Sequence, residues 1–112
     1  MSYQVEELLQ RDGDSPFARW FDSLEAVAAA KVRVAVSRIE QGNLSNVEWF
    51  RGIGEYKIDW GPGLRIYLGK DGLKIIILIG GGTKKRQQQD IDQAVALWED
   101  YKRRKALIQK GK

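Results

Sequence analysis

Polar and apolar positions follow a helical period in the first half of the chain and a strand period in the second. Residues 3–10 begin with β-type alternation and run into Arg11-Asp12-Gly13-Asp14-Ser15-Pro16, which predicts a short first strand and a loop. Ser15 before Pro16 starts a helix: a hydroxyl caps the first turn and a proline with the right fixed φ follows. Phe17, Trp20, Phe21 and Leu24 recur at helical spacing beyond it. Ala28, Val32, Ala35 and Ile39 carry the pattern on until Gly42-Asn43 stops it. Two helices, or one bent helix, therefore fill residues 16–41.

From residue 47 the runs are short and β-like: 47–51, 55–60, 64–68 and 73–79. Gly52-Ile53-Gly54, Gly61-Pro62-Gly63 and Lys70-Asp71-Gly72 separate them. Gly61-Pro62-Gly63-Leu64 suits a type II turn, and Asp71-Gly72 is a hairpin signal. Residues 75–79 are continuously apolar, which predicts a central strand covered on both faces, with Gly80-Gly81-Gly82 as its end. A last helix over about 88–106 places Ile91, Ala94, Val95, Trp98 and Tyr101 on one side. The predicted order is β-α-α-β-β-β-β-α. It describes one α+β domain over residues 1–112, with helices on a largely antiparallel sheet and a basic C-terminal tail at about 102–112.

Composition removes whole classes of chemistry. The 112 residues include no Cys and no His, so disulfides, thiolate nucleophiles, zinc clusters and the commonest general base are absent. Only carboxylates remain to hold a metal, and no motif asks for a metal or another cofactor. The apolar run 75–79 is far short of the ~20 residues of a membrane span. Met1-Ser2-Tyr3-Gln4-Val5-Glu6-Glu7 has neither the basic nor the apolar region of a signal peptide. The expectation is a small soluble cytoplasmic domain with no membrane partner. Its net charge of +4 is uneven. Residues 1–50 hold five basic and eight acidic residues, a net −3, and residues 51–112 hold fourteen and seven, a net +7. A basic second half suits a polyanionic or acidic partner, or is ordinary solubilising surface.

Alternation puts Tyr56, Ile58 and Trp60 on one sheet face and Glu55, Lys57 and Asp59 on the other; Arg65 and Tyr67 oppose Leu64, Ile66 and Leu68. If helices cover the apolar face, the open face carries Lys57, Arg65 and Tyr67, and the loop after the central strand adds Lys84, Lys85 and Arg86. Several cations and a tyrosine on a concave sheet can grip a phosphodiester backbone. The alternative is a set of solvated cross-strand pairs, Lys57 with Glu55 or Asp59. Gly80-Gly81-Gly82-Thr83-Lys84-Lys85 lacks the spacing of a nucleotide-binding P-loop and reads as the glycine exit of a buried strand. Asp90 and Asp92 read as helix-starting residues, and the aromatic face of Phe17, Trp20 and Phe21 reads as core.

The second half also resembles a known family. Glu55-Tyr56-Lys57-Ile58-Asp59-Trp60-Gly61-Pro62-Gly63-Leu64-Arg65-Ile66-Tyr67 is similar to the E-L-R-I-x-x-G-P-G-Y-R-V-Y segment of the phage-derived Gp49-like, HigB-like addiction-module killer proteins of the RelE/ParE toxin superfamily. Ile77-Leu78-Ile79-Gly80-Gly81-Gly82-Thr83-Lys84 resembles that family's L-L-L-C-G-G-D-K, and Gln87, Asp90, Ile91 and Ala94 follow its Q-x-x-D-I-x-x-A. Phe17, Trp20, Leu24 and Gly42-Asn43 match features further upstream.

The resemblance implies the toxin of a type II toxin–antitoxin pair. Its fold would be a small antiparallel sheet with two N-terminal helices and a C-terminal helix. Its partners would be an antitoxin, commonly a helix-turn-helix protein from the adjacent gene, together with mRNA and the ribosome. The implied activity is metal-independent cleavage of mRNA; ParE-like members inhibit DNA gyrase instead, and a degenerate member would only bind its antitoxin. The catalytic candidates are Arg65, matching the arginine of G-P-G-x-R, Lys57 and Lys84. Arg65 is the phosphate clamp, and with no histidine present Lys57 or Lys84 is the candidate base. Tyr67, Lys85, Arg86 and Arg51 complete the expected RNA-binding surface.

Overall fold

The computed structural model describes residues 2–110. Met1 and residues 111–112, where the leader reading begins and the basic tail ends, lie outside the described residues. The elements run β1 (Gln4–Glu7), α1 (Pro16–Asp22), α2 (Ala26–Glu40), β2 (Val47–Phe50), β3 (Ile53–Ile58), β4 (Leu64–Asp71), β5 (Ile75–Thr83), a 3₁₀ turn (Lys84–Arg86) and α3 (Gln87–Lys110). This is the expected order. The five strands form one sheet in the order β1-β5-β4-β3-β2. It is mixed rather than wholly antiparallel, because β1 lies parallel to β5 while every other pair is antiparallel.

Local chemistry sets the helix ends. Ser15 Oγ accepts from the Ala18 N–H at 3.0 Å and donates to Glu7 at 2.6 Å, so the cap of α1 is tied back to β1. Glu25 caps α2 through the Ala28 N–H at 2.8 Å. At the other end of α2, Asn43 N–H reaches the Arg38 carbonyl and Gly42 N–H the Ile39 carbonyl, with Gly42 at φ +90°: the paired bonds of a Schellman turn.

Helices cover both faces of the sheet. On one face α1 and α2 bury Phe17, Ala28, Val32 and Ile39 against Tyr56, Ile66, Leu68, Ile76 and Leu78. On the other α3 buries Ile91, Ala94 and Trp98 against Ile53, Tyr67, Ile77 and Ile79. The side of α3 expected to be apolar is the one that packs. The second layer of helix corrects the expectation of an open face carrying Lys57, Arg65 and Tyr67. Tyr67 is 1% exposed and Arg65 7%, and only Lys57 stays in solvent.

The glycines correct a second expectation. Gly80, Gly81 and Gly82 do not end β5; the strand runs through them to Thr83. A Cβ on Gly81 would run into the Trp20 ring, and one on Gly82 into the Asp90 carboxyl, so these positions are side-chain-free because α1 and α3 press on the strand there. Likewise Ile53 and Gly54 belong to β3. The β2–β3 connection is the two-residue turn Arg51-Gly52, both at positive φ. A bulge between Tyr67 and Leu68 of β4 lets Leu68 pair with Leu78 and Tyr67 with Gly80, leaving Ile79 as the extra residue.

Candidate functional site

The cations expected to carry chemistry meet at one end of the sheet. Lys57 near the end of β3 is the cross-strand partner of Arg65 near the start of β4, which in turn faces Gly82 of β5. The turn before β4 then folds against the 3₁₀ turn after β5. The turn closes one residue earlier than expected, Gly63 N–H donating to the Trp60 carbonyl at 3.0 Å; Gly63, at φ +74°, lies under the Lys84 side chain and against the Arg65 guanidinium, and Lys84 N–H donates to the Gly63 carbonyl at 3.0 Å. Lys57, Arg65 and Lys84 are therefore brought together, with Lys85 and Arg86 exposed on the same turn.

The centre of this cluster is a residue the sequence reading used only as a pairing partner. Glu55 is 1% exposed, under α3. Its Oε2 accepts from Gln87 Nε2 at 3.0 Å and stands 3.5 Å from Arg65 Nε; its Oε1 is 3.9 Å from Lys57 Nζ. Arg65 also donates to the Gly63 carbonyl at 2.8 Å, although its Nε has no aligned acceptor. Glu55 thus holds Arg65 by charge while the carbonyl fixes the direction of the fork. The signal in the sequence was alternation, which puts Glu55 on the face of Lys57, but only strand register sets it opposite Tyr67.

Tyr67 does not reach an RNA surface in this arrangement. Its ring is core, and its hydroxyl is buried against the Glu55 carboxylate across the strand pair. Burial, and the negative charge of Glu55 beside it, push its pKa above the ordinary tyrosine value. Arg51 is elsewhere: it sits in the β2–β3 turn, a strand length of roughly 20 Å from Lys57. It pairs with Asp92 at 2.8 Å, and that contact with the Gln88 hydrogen bond holds the Asp92 carboxyl below its usual range. Asp90, in the first turn of α3, is pushed up by burial, with Arg86 partly opposing the shift.

On the other side of the same sheet end, Lys31 and Arg38, spaced two turns apart on α2, join Lys57 and Trp60 around a groove of about 260 Å³. They extend the cationic surface and were not among the expected residues. The basic tail is largely paired instead: Arg104 with Asp100 at 2.9 Å, Lys102 with Glu99 at 3.2 Å, and Lys105 with Asp71. Asp71 also accepts from the Tyr101 hydroxyl at 2.7 Å, so α3 is fastened to the β4–β5 hairpin. Burial and that bond push Tyr101 up to about 12. Among the described residues no three carboxylates converge as a metal site requires, and no helix is long and apolar enough to cross a membrane.

No family model and no solved structure matches the chain. The chain is 35% identical over 86 residues to an uncharacterized protein of Haemophilus influenzae, an overlap of 75% of this chain and 87% of that one.

Proposed function

The chain belongs to the same family as that Haemophilus influenzae protein, and from that premise we propose that it is the toxin of a type II toxin–antitoxin pair, with a RelE/ParE-like, HigB-like fold and the activity of a metal-independent mRNA endoribonuclease. The observation that supports this most is the convergence of Lys57, Arg65 and Lys84 at one sheet end, with Arg65 aimed by Glu55 and the Gly63 carbonyl.

In this reading the RNA backbone lies across the Gly63–Lys84 turn. The ribose 2′-hydroxyl attacks the adjacent phosphorus, its proton passes to a neutral lysine nitrogen, and the 5′-oxygen leaves as a hydroxyl by taking a proton from the other lysine's ammonium group as the 2′,3′-cyclic phosphate forms. Arg65 and Lys84 stabilise the dianionic transition state, and Lys57 is the candidate base. Lys85, Arg86, Lys31 and Arg38 hold flanking phosphates. A cytoplasmic site of action, cleavage of translated mRNA at the ribosome, and neutralisation by an adjacent helix-turn-helix antitoxin complete the reading.

The test is expression from a tight promoter beside Arg65→Ala, with 5′ ends of cellular mRNA mapped after induction. New cuts in translated messages, absent in a folded Arg65→Ala, support the assignment; growth arrest without cuts overturns it. One observation favours a second reading: α3 covers Arg65 and Tyr67, as suits an inhibitor that binds its target without cutting RNA. A ParE-like inhibitor of DNA gyrase gives DNA-damage signalling with intact mRNA, and a degenerate antitoxin-binding member gives neither.

A further inference from the structure

Helix α2 carries a second stripe beside the one it buries. Ala28, Val32, Ala35 and Ile39 pack into the core under the sheet. The residue before each of them, Val27, Lys31, Val34 and Arg38, repeats the same i, i+4, i+7, i+11 spacing and faces solvent. Val27 is 52% exposed and Val34 50%. Valine is not a strong helix former, and half of each side chain stays in water, so the stability of the free chain does not account for the pair.

The stripe borders a groove of about 260 Å³, whose other wall is the end of β3 and the turn after it, with Ile58 and Trp60 as its apolar members. Three cations stand around it, Lys31, Arg38 and Lys57, against one carboxylate, Asp59. Neither Lys31 nor Arg38 belongs to an ion pair among the described residues, and Lys57 reaches Glu55 only at 3.9 Å. The surface is therefore apolar along its length and positive at its rim, which suits an occupant that is apolar on one side and acidic beside it. A helix meets that description better than a nucleic-acid strand. Val27 and Val34 are two turns apart, about 10 Å along the axis, the distance after which a second helix presents the same face again. A phosphate backbone can use Lys31 and Arg38 but leaves both valines in water.

We propose that the α2 groove docks an acidic amphipathic helix of a partner protein. Its apolar side chains lie on Val27, Val34 and Trp60, and its carboxylates meet Lys31, Arg38 and Lys57. The surface stands on α2 and its groove and does not rest on the ribonuclease reading. Where that reading holds, the docked helix covers Lys57 and competes with RNA for the same cations, so the groove controls access to the site.

The experiment is amide chemical-shift titration of the full, isotope-labelled chain with a capped peptide of about two heptads, leucine at a and d and glutamate at e and g. Two twin peptides carry lysine for glutamate, or alanine for leucine. The acidic leucine peptide is expected to bind with shifts centred on residues 27–38 and the Trp60 indole. Each twin binds roughly tenfold more weakly or worse. Val34→Glu puts a good helix former at a half-exposed position and lowers affinity for the acidic peptide by a similar roughly tenfold factor. Absence of binding overturns the proposal, as do shifts centred on the Lys85-Arg86 turn or the end of α3. So does equal binding of the alanine twin to the unaltered chain, which assigns the groove to a polyanion such as RNA and does not depend on how any variant folds.

Discussion

The two faces of the sheet are built from the same strands and are chemically unlike. Under α1 and α2 the strands present Tyr56, Leu64, Ile66, Leu68, Ile76 and Leu78, an apolar surface. Under α3 they present Ile77 and Ile79 at one end and Glu55, Arg65 and Tyr67 at the other, closed over by Gln87. The first face is what a small domain needs to stay folded. The second spends part of its area on buried charge, and replacing such groups by apolar ones is commonly neutral or stabilising. Stability alone therefore does not account for Glu55 and Arg65, which is why the α3 face is where chemistry is sought.

The comparison can be broken most forcefully on the apolar face. Ile66→Ala removes a fully buried side chain and should lower stability by about 3–4 kcal/mol in urea unfolding, with the loss independent of pH. A loss under about 1 kcal/mol would mean that this face is not the principal core.

On the polar face, Glu55→Gln leaves the buried Arg65 charge uncompensated and should cost roughly 3 kcal/mol. The double variant Glu55→Gln, Arg65→Met should recover most of that loss. A double variant no better than the single one would make Glu55 important for packing rather than for charge.

Two aspartates give smaller effects of opposite sign. Asp71 is held below the carboxylate range, first by its hydrogen bond from Lys105 and then by that from Tyr101. Its contribution is present above the unfolded value of ~3.9 and is lost as pH falls through the lower folded value. Asp71→Asn should thus cost about 1 kcal/mol at neutral pH and progressively less in acid. Asp90 is raised by burial. Its favourable state lies below the unfolded value and is lost as pH rises through the folded one, so Asp90→Asn should stabilise slightly at neutral pH and make no difference in acid. Thermal melts between pH 3 and pH 7, roughly the span of carboxylate titration, separate the two.

The elements themselves were legible, because each is a run with a clear period and a chemical stop: Ser15-Pro16, Gly42-Asn43, Asp71-Gly72. The closed second face was not. Leu64-Arg65-Ile66-Tyr67-Leu68 alternates as a half-exposed strand does, and nothing local says that the polar positions lie under a 24-residue helix. Gly80 to Gly82 misled for the same reason. Glycine reads as a breaker along the chain, while Trp20 and Asp90, whose approach requires it, are distant in sequence. Of the candidate residues, Lys57, Arg65 and Lys84 lie together at one end of the sheet. Register takes Arg51 to the far end of β3, while Tyr67, placed by alternation on the face of Arg65, is buried beside Glu55 rather than exposed.

The bulge at Tyr67 and Leu68 has a consequence for which changes of length the chain tolerates. By taking Ile79 as an extra residue, it shifts the parity of everything after it in β5, so that Gly81 meets α1 and Gly82 meets α3. In the unshifted frame Gly81 would turn toward α3 and Gly82 toward α1, and Trp20 and Asp90 would each lose the gap into which they fit. The last five residues of β5 thus behave like a reading frame: single substitutions there are local, but one residue added or removed misaligns two helices at once.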